Sequence, residues 1–159
     1  MISGRVNCEL SEHELGRIVV GLKNNVQAIQ EVMPDELAHG WMPSDFREQM
    51  ESDVGSWLET EVRVLVKMQR LYLEAMRDRL ADHERSLQEL DDRHPYLDAS
   101  TRDRFRHDLH ARIERFQEAI PNEEADLDQW ESFLAHKDAA VKARIRKATQ
   151  DDEDEPGGA

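Results

Sequence analysis

A chain of 159 residues with 38% hydrophobic content suits one domain or one elongated bundle, and its 35 acidic against 21 basic residues give a formal net charge of −14. Such a surface repels a phosphate backbone, which speaks against direct nucleic-acid binding. Cys8 is the one cysteine, so an intramolecular disulfide and a cysteine-based zinc cluster within one chain are excluded, and no stretch approaches the ~18 consecutive apolar residues of a membrane span. A soluble, cytoplasmic protein is the expectation.

Residues 5–10 alternate so that Val6, Cys8 and Leu10 share one side of an extended segment. With no partner strand in the chain, this segment reads as a lead-in laid on the bundle, with strand pairing across a dimer as the sharper alternative. Ser11 and Glu14 have the capping-box pattern that starts a helix. The first helix is predicted over about residues 11–33, where Leu15, Ile18, Val19, Leu22, Val26, Ile29 and Met33 recur every three or four positions. Gly16 and Gly21 weaken it by about 1 kcal/mol each relative to alanine. Pro34 to Leu37 reads as a separate helical turn, with Gly40, Trp41 and Met42 completing the connection.

Ser44 to Arg93 is predicted as a second helix roughly 75 Å long. From Phe46 to Met76 its apolar residues sweep roughly 220°, more than one neighbouring helix covers. Beyond Met76 the set narrows to Leu80, Leu87 and Leu90 with His83 on the same stripe. The expected helix therefore has a wide-faced part in a bundle and a narrow part in a two-helix arm. His94 to Ser100 form the tip, with Ser100 and Asp103 restarting a helix.

A third helix over about 101–120 carries Phe105, Leu109, Ile113, Phe116 and Ile120 as a coiled-coil seam. Pro121 either kinks it or ends it before a fourth helix over about 122–149, whose seam is Leu127, Trp130, Leu134, Val141, Ile145 and Ala148. Residues 137–147 hold five basic side chains against one acid, which suit a helix C-terminus or a docking patch, and 151–159 read as a disordered acidic tail. The expected fold is thus all-α: an elongated antiparallel helical bundle over residues 1–150, with a long αα-hairpin, coiled-coil arm.

No phosphate loop, nucleophile elbow or zincin motif is present, so no catalytic residue and no cofactor is predicted. His107, His110 and Glu114 share a helical face at metal-ligand spacing, but that face points away from the seam and reads as solvated surface. His83 on the apolar stripe, facing His110 across a hairpin centred near Leu97, reads as an interfacial histidine. Glu36 and His39 match half of the Glu-x-x-His motif of di-iron bundles, which requires two copies and two further glutamates.

The expected function is that of a non-enzymatic helical scaffold or adaptor that binds protein partners, above all itself. Leu58, Val62, Val66 and Leu73 are the predicted second contact, Trp41 is a loop anchor, and Trp57 and Trp130 are predicted core. An acidic decoy for a nucleic-acid-binding protein is the alternative, although −14 along ~75 Å is one charge per ~5 Å against one per ~1.7 Å in duplex DNA. A metal-binding helical protein using His83, His107, His110 or Glu114 is the third reading.

Overall fold

The computed structural model describes residues 10–37 and 44–153 and is all-helical there, in the order α1 (Glu12–Leu37), α2 (Ser44–Gln88), α3 (Leu90–Arg93) and α4 (Ala99–Glu153). Val6, Cys8, Gly40, Trp41 and Met42 lie outside the described residues, as does the acidic segment from residue 154 on.

The capping box at the start of α1 is formed. The Glu14 amide donates to the Ser11 hydroxyl oxygen at 3.3 Å, and the Ser11 amide donates back to the Glu14 carboxylate at 2.8 Å. The turn predicted at 34–37 is not separate but the last turn of α1. A proline already holds φ at a helical value, and its cost here is one lost hydrogen bond near the helix end. α2 runs for 45 residues and breaks only at Glu89. The amide of Glu89 still donates to Arg85 at 3.0 Å and that of Arg93 to Glu89 at 2.9 Å, so α3 continues the direction of α2.

α4 begins two residues earlier than the Ser100 cap predicts. Asp98 is the cap, accepting from the Thr101 amide at 2.9 Å and the Thr101 hydroxyl at 2.7 Å. These bonds hold the Asp98 carboxyl below the usual carboxylate range, those from Thr101 being the largest cause. The predicted third and fourth helices are a single helix of 55 residues with Pro121 inside it. A proline inside a helix removes one donor and crowds one carbonyl, but packing on both sides of the site outweighs that loss. The same helix takes in Asp151 to Glu153, which the sequence assigns to a disordered tail.

Both α1 and α4 pack on α2. Val19, Val26 and Ile29 of α1 meet Leu58, Val62, Leu65 and Val66 of α2, and Leu127, Trp130, Phe133 and Leu134 of α4 close the cluster. Further along, Leu73 and Met76 meet Ile120, with Leu80, Phe116 and Ala119 around them. The cross-helix partners show that α4 retraces α2 in the opposite direction: Arg63 meets Asp138, Arg70 meets Glu131, Arg77 meets Glu124, His83 meets Phe116 and Arg106 meets Asp91.

Candidate interaction surfaces

Leu58, Val62, Val66 and Leu73, predicted to face a second chain, are 6%, 0%, 5% and 2% exposed and lie in the chain's own core. Trp57, predicted as core, is instead on the surface. The apolar arc on α2 is as wide as the sequence indicates, but α1 and α4 cover the side around Val62 and leave the opposite side open. On that open side Trp57, Val64 and Leu71 are 56%, 44% and 44% exposed. At 100° per residue these three fan over about 40°, and Val62 and Leu73 point about 160° and 180° from their mean direction. The three recur every seven residues, the spacing of one position of a coiled-coil seam; Glu61 at the edge of the stripe is half-buried, and Met68 packs against the core. Exposed single apolar residues are ordinary, whereas a repeated stripe of them marks an interaction surface.

A polar junction joins all three long helices beside this core. Lys23 Nζ of α1 donates to Glu123 Oε2 at 2.9 Å and to Asp126 Oδ2 at 2.7 Å, both on α4. Gln69 of α2 is wholly buried, and its Nε2 donates to the same Glu123 Oε2 at 2.9 Å and to the Glu123 carbonyl at 3.1 Å. Desolvation pulls the Lys23 ammonium towards a lower pKa, but hydrogen bonds to Asp126 and Glu123 outweigh it and leave the pKa above the usual lysine value of 10.5. Glu123 is thus shared by one charged and one neutral donor from two different helices.

The α2·α4 interface carries a ladder of ion pairs. Arg63, Arg70 and Arg77 are seven residues apart, and so are their partners Asp138, Glu131 and Glu124. The Arg63 pair closes at 2.8 Å, and Arg70 Nε lies 2.9 Å from Glu131 Oε1. Exposed pairs of this type contribute little each, but their common spacing favours one register. The signal was present in the sequence as two heptad series of opposite sign; reading each helix by its apolar residues alone passes over it.

The histidine candidates separate. His83 is half-buried and its ring lies 5.8 Å from that of Phe116, not against His110. Its partners sit about five residues further along α4 than a hairpin centred on Leu97 would place them. Burial, then the charges of Arg112 and Arg79, push the His83 pKa below 6.5. His107, His110 and Glu114 are exposed on α4. Among the described residues no group of three or more His, Cys, Asp or Glu side chains could hold a metal. In the basic segment, Lys137 lies over the Phe133 ring at 5.7 Å and Asp138 pairs with Arg63, so both serve the fold.

Among the described residues no helix is long and apolar enough to cross a membrane. Comparison with protein-family models, curated proteins and solved structures finds no match to this chain.

Proposed function

We propose that the protein is a non-enzymatic helical interaction protein that associates with itself through the open face of α2. In this reading α1, the first part of α2 and the later part of α4 form the base of an elongated antiparallel bundle. The rest of α2, with α3 and the start of α4, forms a coiled-coil arm. The observation that carries the proposal is the exposed seam Trp57, Val64 and Leu71 on the side of α2 opposite the core. A second copy offering the same face buries both stripes at once, the self-complementary arrangement of a two-fold dimer. The placement of Glu61 at the edge of the stripe supports specificity, because charged residues flanking a seam set partner choice and orientation.

Sedimentation velocity at micromolar concentration tests this. The wild-type chain is expected to sediment as a dimer or larger species, and Trp57→Arg with Leu71→Arg is expected to give a monomer of unchanged helical content. A wild-type chain that is monomeric throughout the micromolar range would refute the proposal.

A further inference from the structure

At the end of the α2·α4 hairpin, α3, the connection at 94–98 and α4 enclose a cleft of about 380 Å³. Its apolar lining is Leu90, Leu97, Phe105 and Leu109, of which Leu90 is buried and Phe105 half open to solvent. This size lies at the lower end of the range for ligand-binding clefts, roughly 300–1,000 Å³. Most of the polar rim is engaged within the fold. The Ser86 hydroxyl donates to the Asp82 carbonyl at 2.8 Å, Arg93 pairs with Glu89, and His94 Nδ1 lies 2.8 Å from the Tyr96 hydroxyl. Asp108 and Arg112 differ: both line the cleft, one turn apart on α4, and among the described residues neither has a hydrogen bond or ion pair.

A carboxylate and a guanidinium about 5–6 Å apart at their Cβ atoms present one acceptor and one donor beside an apolar recess. The backbone of an extended chain is complementary to that pair, because the N–H and C=O of one residue point to the same side. Charge distribution favours a partner segment that is not basic. Residues 79–116 hold eight arginines against nine acids, so this end carries −1 of the −14 and the rest of the chain carries −13. A basic segment would be drawn away from the cleft towards the rest of the molecule.

We infer that the cleft binds an extended apolar segment of a partner protein. One bulky aliphatic or aromatic side chain enters among Leu90, Leu97, Phe105 and Leu109, while the same residue donates its N–H to Asp108 and accepts at its C=O from Arg112. The inference rests on the reading of the chain as an interaction protein, but not on self-association, which uses the face around Val64.

The test is an NMR titration of the full chain with a capped five-residue serine and threonine peptide bearing phenylalanine at its centre. Saturable shifts are expected at Leu90, Leu97, Phe105 and Leu109, absent when the central residue is serine. Asp108→Asn and Arg112→Gln are each expected to weaken binding about tenfold, with sedimentation behaviour unchanged. The inference is overturned if the cleft resonances do not move, if both variants bind as the wild type does, or if free phenylalanine competes equally well, which would assign the cleft to a zwitterion.

Discussion

At the scale of single residues the junction around Glu123 has the most to lose, because one carboxylate serves donors from two other helices. Glu123→Ala leaves Lys23 with Asp126 alone and the buried Gln69 Nε2 with only the backbone carbonyl. A cost of about 2 kcal/mol is expected, read as a lower urea midpoint at unchanged slope. The pH dependence has a definite sign. The Lys23 pKa is raised in the folded chain, so its contribution is complete below the unfolded value of 10.5 and lost as pH rises through the folded value. Lys23→Met is expected to flatten that alkaline loss. His83 behaves oppositely. Its depressed pKa contributes stability that is present above 6.5 and lost as pH falls through the folded value. An NMR titration of its ring should give a midpoint below 6.5, and Arg112→Gln should move that midpoint upward by removing a nearby positive charge.

At the scale of elements, the two glycines of α1 separate helix propensity from packing. A Cβ on Gly21 would meet nothing within 4 Å, whereas one on Gly16 would lie 3.2 Å from Cε2, Cζ and the hydroxyl of Tyr72. Gly21→Ala is therefore expected to stabilise by about 0.5–1 kcal/mol. Gly16→Ala should gain less or lose, because the half-buried Tyr72 ring has to shift, and paired thermal melts would show the difference. The helices and their apolar faces were legible in the sequence wherever a local rule governs them: the box at Ser11, the buried face at Ile113, Phe116 and Ile120, and the wide arc on α2. What was not legible is which part of that arc the chain itself covers. Periodicity gives the direction of Val62 and Val64 relative to each other, but not which of the two faces a neighbour. That choice depends on where α1 and α4 dock, and for α4 the docking depends on the tip. Capping by Asp98 rather than Ser100 and the offset of α4 past α2 come from short, irregular geometry around residues 94–98. The same offset separated His83 from His110 and matched the two heptad series of charges.

At the scale of the whole molecule, the net charge of −14 and the ion pairs make opposite predictions for added salt. If attraction dominated, salt would destabilise the fold, since every cross-helix pair would weaken. Distance decides between the two. Lys23 with Glu123 and Asp126, and Arg63 with Asp138, are paired at 2.7–2.9 Å, well inside the Debye length of about 10 Å at 0.1 M salt, so their attraction is little screened. The excess acids are spread along three long helices, and their mutual repulsion acts over distances near or beyond that length, where screening is strong. Since 11 of the 14 excess charges lie on described residues outside 79–116, the repulsion is concentrated where α1, α2 and α4 run together. Raising sodium chloride from about 0.02 M, where the Debye length is more than 20 Å, to about 0.5 M, where it is under 5 Å, is therefore expected to raise the melting temperature. The Arg70→Glu, Glu131→Arg exchange keeps both the net charge and the pair, and should show the same salt response. A melting temperature that falls across this range in the wild type would mean that the ladder of pairs, not the excess charge, sets the electrostatic balance of the fold.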